Sequence, residues 1–268
     1  LNLYRPVTTS SWVTGARLIG RSILYTDSSG SEQTTSSYEW NFNNGMGNWT
    51  GNQSAYKSWN WKRHAGFDVV AWNGDGVSGR QMPHSMGKTP EMIWVKRRNS
   101  NDDWTVYHYG QNGGINPEQY RLRLNEQVMN YTGTSYWNNT APTSTHFTLG
   151  NDGTVNSGGT TLYIGFLFAS VDGISKVGYY DGQNSELTIT TGFQPRFVIL
   201  KRVSAQSDWH VLDTARGWGA GDDNYLALNS TQAQAPHNIG APTSTGFTLT
   251  VTAEYNGAGG KYIYYAHA

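Results

Sequence analysis

Two stretches of this chain are the same stretch written twice. Ala141-Pro142-Thr143-Ser144-Thr145-His146-Phe147-Thr148-Leu149 recurs as Ala241-Pro242-Thr243-Ser244-Thr245-Gly246-Phe247-Thr248-Leu249. Pro90 through Arg97 answers to Pro195 through Arg202, Asp103-Trp104 to Asp208-Trp209, Leu124-Asn125 to Leu228-Asn229, and Asn156 to Asn256. The offset falls only from 105 (Pro90 to Pro195) to 99 (Ala169 to Ala268), a drift that small loop deletions explain. A repeat at fixed spacing constrains the fold before any other signal does. At roughly 100 residues each copy is too long for a solenoid unit and suits a sandwich domain.

The strand signals agree. Helical periodicity is not sustained over three turns anywhere, while short apolar runs bounded by Gly, Asn, Asp and Pro recur about every ten residues. Expected strands in the first copy are Phe67–Asn73, Glu91–Arg97, Trp104–Tyr109, Tyr120–Asn125, His146–Leu149 and Thr161–Ala169. Those in the second are Lys176–Tyr180, Glu186–Thr190, Arg196–Arg202, Trp209–Asp213, Tyr225–Asn229, Phe247–Thr252 and Lys261–Ala266. Met92–Val95 and Phe197–Leu200 are apolar on both strand faces, so they read as central strands covered on both sides. The fold expected is all-β: two tandem, mutually similar β-sandwich domains of jelly-roll type, preceded by an aromatic-rich N-terminal arm. The division expected is 1–61 (arm), 62–173 (first repeat) and 174–268 (second repeat).

Within the arm, residues 7–37 are rich in Ser and Thr and read as loosely ordered. Tyr38-Glu39-Trp40-Asn41-Phe42 alternates with period two and reads as a strand burying an aromatic face. With too little core of its own, the arm is expected to pack on the repeats or on a neighbouring subunit. Its aromatics favour assembly contacts, so deletion of residues 1–58 is expected to leave folded, soluble repeats that no longer assemble.

Chemistry is sparsely signalled. There is no cysteine, charged residues are 14% of the chain and the net charge is zero. Neither a disulfide framework nor a thiolate metal site is available, and the charge gives no footprint for nucleic acid. No apolar run is long enough to cross a bilayer. The seven histidines show no zinc-binding spacing. Ser170, Asp172 and His146 form a triad only on paper, because no Gly-x-Ser-x-Gly elbow presents the serine. No carboxylate spacing singles out a glycosidase pair. Asn73-Gly74-Asp75-Gly76 reads as a turn, not a calcium loop, because the oxygens that calcium wants are missing. The expectation is a chain with no catalytic residues, cofactor or metal, working by contact area.

Residues kept in both copies read as folding determinants. Lys96 with Asp103 and Lys201 with Asp208 flank the same hairpin turn and could pair across it. Trp104 and Trp209 open the return strands and are expected in the core. Recognition is sought instead where the copies differ, on loops carried by a common scaffold. His108–Gln119 is replaced by Asp213–Asn224, which holds Arg216 and Trp218. Gln127–Asn139, with Tyr131, Tyr136 and Trp137, is replaced by the shorter Gln232–Asn238. Exposed aromatics beside Asn and Asp suit the faces and hydroxyls of a sugar. The alternative is that these rings pin their loops to the sheet.

From Trp59 to Ala268 the chain resembles a family of repeated β domains in virion structural proteins of tailed bacteriophages, notably marine ones. The resemblance rests on Trp59–Arg63, Gly66–Val70 with Asn73-Gly74, and His84–Gly87 ahead of Pro90. It continues through Met92–Arg97, Asp103-Trp104, Tyr107-His108, Pro142–Gly150, and Leu167–Gly173 with Ser175–Gly178, with their second-copy counterparts. It implies a non-enzymatic virion component at the particle surface, tail-fibre-like or on the capsid. The partners implied are further virion proteins, further copies of the chain as in a fibre homotrimer, and a host-surface glycan. A free carbohydrate-binding module is the alternative, and a polysaccharide-degrading enzyme stands behind it.

Overall fold

The computed structural model describes residues 1–6, 8–36, 39–42, 45–47, 56–219 and 221–268. The fold is all-β, and every strand pair among the described residues is antiparallel. The residues expected to form an arm instead build a five-stranded sheet: β1 (Asn2–Pro6), β2 (Val13–Gly15), β3 (Ser22–Tyr25), β4 (Gln33–Thr34) and, after the hairpin β5 (Glu39–Phe42) and β6 (Gly45–Gly47), β7 (Tyr56–Asn60). The order is β4-β3-β2-β1-β7. Three strands thus cross the segment expected to be loosely ordered. A polar composition hid them because half of each strand faces solvent and the strands are two to four residues long. Trp40 is half-buried against Tyr4 and Ile23. The expected aromatic face at Tyr38 and Phe42 lies outside the residues whose side chains are described.

The first repeat contains β8 (Phe67–Asn73), β9 (Arg80–Pro83), β10 (Met92–Arg97), β11 (Thr105–His108), β12 (Tyr120–Arg123), β13 (Tyr131–Thr132), β14 (His146–Leu149) and β15 (Leu162–Phe168). Its large sheet runs β13-β12-β11-β10-β15-β8, faced by the pair β14-β9. The second repeat contains β16 (Ser175–Asp181), β17 (Leu187–Thr190), β18 (Phe197–Arg202), β19 (Trp209–Asp213), β20 (Asp223–Ala227), β21 (Ala235–His237), β22 (Pro242–Thr243), β23 (Gly246–Leu249) and β24 (Lys261–His267). Its large sheet, β21-β20-β19-β18-β24-β16, has the same topology, faced by β17-β23-β22. The strands holding Met92–Val95 and Phe197–Leu200 occupy equivalent central places.

Among the described residues, the N-terminal sheet repeats five strands of that order, strand for strand. Leu3 pairs with Thr14 and Trp59 as Trp94 pairs with Val106 and Phe166, and as Ile199 pairs with Val211 and Tyr265. The chain therefore carries three like modules, and the residues read as an extension outside the repeat are the first of them.

Each large sheet is covered twice, which explains the two-faced apolar runs. Ile93, Val95, Tyr107 and Leu167 face the small sheet of their own repeat, as do Val198, Leu200 and Leu212 in the other. Met92, Trp94, Val106 and Phe166 turn the other way, into one core shared with Phe197, Ile199 and Val211 and with Leu3, Trp12, Leu24 and Trp59. The N-terminal sheet thus spends its apolar face inside the chain, where assembly contacts were expected.

The modules close a ring. The Trp104 indole donates to the Tyr25 carbonyl at 2.9 Å, Trp209 to Arg123 at 2.9 Å, and Trp12 to Ala227 at 2.6 Å. Second module reaches first, third reaches second, and first reaches third. Like contacts joining three like units head to tail, and closing, are the geometry of a cyclic trimer. Here one chain supplies all three.

Candidate functional site

The residues kept in every module converge on the three junctions. Each module presents a buried cation from its central strand: Arg5, Lys96 and Lys201 are 0%, 0% and 1% exposed. The Lys96 ammonium donates to the carbonyls of Ser29 at 3.0 Å and Asp102 at 2.7 Å. That of Lys201 donates to Gln127 at 3.3 Å and Ser207 at 2.7 Å. The Arg5 guanidinium donates to Ser230 at 2.8 Å and to Gln232. The cross-hairpin pairing expected of Lys96 with Asp103 gives way to these carbonyls, one of them for each lysine on the neighbouring module. Asp103 goes instead to Arg123 at 3.0 Å and to the Asn125 amide at 2.8 Å. A buried ammonium wrapped by carbonyl oxygens fixes position and register without a second charge. Burial lowers the Lys201 pKa to about 7 and that of Lys96 to about 8.

Two further hydrogen bonds recur in each module, the first within the module and the second across the junction. The backbone N–H groups of Trp12, Trp104 and Trp209 donate to the side chains of Asp27, Asn125 and Asn229 at 2.7, 2.9 and 2.8 Å. Two residues upstream, Ser10, Asp102 and Ser207 donate to the carbonyls of Thr231, Ser29 and Gln127. What the duplicated residues do is therefore hold the modules to one another.

Of the five residues expected on the recognition loops, three are buried. Trp137, 2% exposed, donates its indole N–H to the Tyr120 carbonyl and packs edge-on against Tyr107. Trp218, 3% exposed, donates to Gly240 and packs against Phe247. Arg216 lies over the Trp59 ring and donates to the Gln234 side chain. These rings and this cation pin their loops to the sheets, because an indole with its N–H satisfied inside the fold is worth more there than in water.

Tyr131 and Tyr136 remain at the surface. Register places Tyr131 opposite Arg121 on the β12–β13 pair. The Arg121 guanidinium sits 4.3 Å from the Tyr136 ring centre and 5.6 Å from that of Tyr131, and Arg123 lies 5.3 Å from Tyr131 on the side held by Asp103 and Glu126. Tyr131 and Met129 are exposed, Tyr136 is half-buried against the core of its repeat, and the Arg121 guanidinium that meets both rings is buried, so this ledge offers aromatic and apolar contact area. The paper triad stays apart. Ser170 Oγ accepts from the Val177 N–H, while the His146 ring lies against the hydroxyls of Thr143 and Thr145. Among the described residues no group of three or more His, Cys, Asp or Glu side chains gathers as metal ligands.

Two histidines are held neutral inside the fold. His108 Nδ1 accepts from the Gly110 N–H at 3.0 Å, leaving Nε2 to donate to the Tyr264 carbonyl. Burial lowers its pKa to about 3, and that of His210 to about 4, from 6.5. Between those values the unfolded chain binds protons that the folded one refuses, so stability falls as pH drops below 6.5. The loss is expected to reach about 1.4 kcal/mol per pH unit for each histidine. Urea unfolding at pH 7.5 and about 5.5, a window above most carboxylate titration, measures this. His108→Asn should roughly halve the dependence, and a flat profile would remove the histidines as its cause.

No curated protein and no solved structure matches the chain. Residues 14–268 match the model of a family described as a domain of unknown function, DUF7483, and the chain belongs to that family.

Proposed function

We propose that this protein is a non-enzymatic structural component of a bacteriophage virion, displayed at the particle surface as a tail-fibre-like adhesin or a capsid-surface protein. The observation that carries the reading is the ring itself. Three like modules are fused in one chain and locked by buried cations that donate across the junctions. A rigid ring with threefold character suits a seat on a threefold fibre axis or capsid site, with loops free to vary outward. Its partners on this reading are other virion proteins and, at the ledge of Tyr131 and Tyr136, a host-surface glycan. Further copies, as in a fibre homotrimer, are not needed to cover Trp12 and Trp59, which the shared core buries.

A free carbohydrate-binding module is the second reading, and the Arg121–Tyr136 stack is what favours it. Mass spectrometry and cryo-EM of purified particles separate the two. Stoichiometric copies at a defined particle site support the first reading. Absence from particles, together with glycan-array binding lost in Tyr131→Ala and Tyr136→Ala, would replace it with the second.

A further inference from the structure

Strand β12 carries two arginines whose guanidinium groups both lie over the Tyr131 ring. Arg123 is paired with the carboxylates of Asp103 and Glu126, at 3.0 and 2.9 Å. Arg121 is 7% exposed and meets no carboxylate directly among the described residues. Its Nη1 makes one long hydrogen bond, to Thr105 Oγ1 at 3.5 Å, and its enclosed Nε makes none. Its Nη2 has no partner among the described residues either, and is not enclosed. We infer that Arg121 is the anion-binding group of a saccharide subsite at this ledge, and that the sugar it takes is an acidic one, with its carboxylate on the guanidinium and its ring against Met129 and Tyr131. The inference rests on the reading that the ledge holds a glycan, and adds the class of sugar.

The scaffold does not ask for a cation at this place. Register sets Leu122 opposite Val106 as it sets Leu24 opposite Thr14 and Leu226 opposite Val211. Arg121 therefore stands where the first module has Ile23 and the third has Tyr225, and both of those pack on the apolar cluster of their own module. The junction cations recur in all three modules because each junction uses one, whereas Arg121 belongs to the second module alone.

A covered charge with no counter-ion carries a desolvation cost. The Tyr136 ring at 4.3 Å and the Tyr131 ring at 5.6 Å offset part of it. A line of hydroxyls offsets a little more, from Thr105 to Thr154 at 2.8 Å and from Thr154 to the Asp152 carboxylate at 2.6 Å, which leaves that carboxylate two hydroxyls away. The two nitrogens without partners, Nε and Nη2, share one edge of the guanidinium. That edge is the one a carboxylate grips through two parallel N–H···O bonds, and a hydroxyl of a neutral sugar supplies neither the second oxygen nor the charge. Arg123 already holds two carboxylates on the other side of Tyr131, so the ledge takes one anionic group.

The test titrates the whole chain with glucuronate, galacturonate and N-acetylneuraminate, each beside its neutral counterpart with the carboxyl reduced to an alcohol. At least one acid is expected to bind saturably, and at least about tenfold more tightly than its neutral form. Arg121→Met keeps the packing and removes the charge. It should bring the acid down to the affinity of the neutral form without lowering the melting temperature, since replacing an uncompensated buried charge by an apolar side chain is neutral or stabilising. If that variant fails to fold, the acid and neutral pairs on the unaltered chain still decide. Equal binding of acid and neutral forms, lost in Tyr131→Ala, overturns the inference and leaves the ledge as a glycan site. No binding by any of the sugars at millimolar concentration, or binding indifferent to Tyr131→Ala, removes the ledge reading and the inference with it. Displacement of the acid by equimolar inorganic phosphate or sulfate would make this a free-anion site and overturn the assignment to a sugar.

Discussion

Residues 61–268 on their own are expected to lose the soluble, cooperative fold of the full chain. Removing residues 1–60 takes Leu3, Trp12, Leu24 and Trp59 out of the shared core and bares the faces of Trp94, Trp104 and Phe197 that they cover. Burying a large apolar side chain contributes about 1.5–3 kcal/mol. Loss of four such residues and exposure of their neighbours approaches the whole stability of a typical fold, about 5–15 kcal/mol. The cut also removes the Tyr25 carbonyl that satisfies the Trp104 indole and the Ser29 carbonyl that satisfies Lys96. Lys96 keeps the Arg97 and Asp102 carbonyls of its own module, so the indole N–H of Trp104 is the group left without its partner. The sequence alone favoured the opposite result for deletion of residues 1–58, folded and soluble repeats, since of the two places the arm could pack, on the repeats or on a neighbouring subunit, its aromatics favoured assembly contacts. Solubility, dye binding to exposed apolar surface and a thermal melt, compared with the full chain, separate the outcomes. A soluble truncation with an unchanged melt would show that the repeats do not need the first module.

Replacing Trp12, Trp104 or Trp209 by alanine is expected to destabilise the chain by about 3–5 kcal/mol in each case, the range for deleting a large buried aromatic. The three indoles are 0%, 0% and 1% exposed. Each also donates to a carbonyl of another module, so truncation leaves a buried acceptor unpaired as well as a cavity. Because all three close equivalent junctions of one ring, their effects should agree within about 1 kcal/mol, the scatter normal for one substitution in related contexts. Phenylalanine at the same positions keeps most of the volume and loses the N–H, and should cost less. Denaturant unfolding of the six variants checks both statements. A near-neutral Trp12→Ala beside two costly partners would mean that the first module is not locked into the ring as the others are.

The duplication, the alternating apolar runs and the absence of helical period were enough to reach an all-β chain with two equivalent sandwiches. The apolar cores of nearly all the strands in those repeats were legible from pattern, with boundaries shifted by one or two residues. Short polar strands were missed, such as Arg80–Pro83 and Ala235–His237, since they carry too few apolar positions to show a period. The two-faced runs at Met92–Val95 and Phe197–Leu200 said that both faces are covered, yet not by what.

Only the tertiary structure supplied the cover, through contacts that sequence spacing does not encode. The first module keeps the strand order and the junction chemistry of the others while keeping little of their sequence. Arg5 stands for lysine and Asp27 for asparagine, so its kinship shows in hydrogen bonds more than in letters. Burial likewise decided which aromatics were available for recognition. Tyr131 and Trp137 sit six positions apart in one loop, and a carbonyl within reach of the indole turned one inward while the guanidinium of Arg121 held the other at the surface. A linear pattern records which residues are apolar. Which surfaces meet depends on how three sheets close on one another, and that is settled by the shared core.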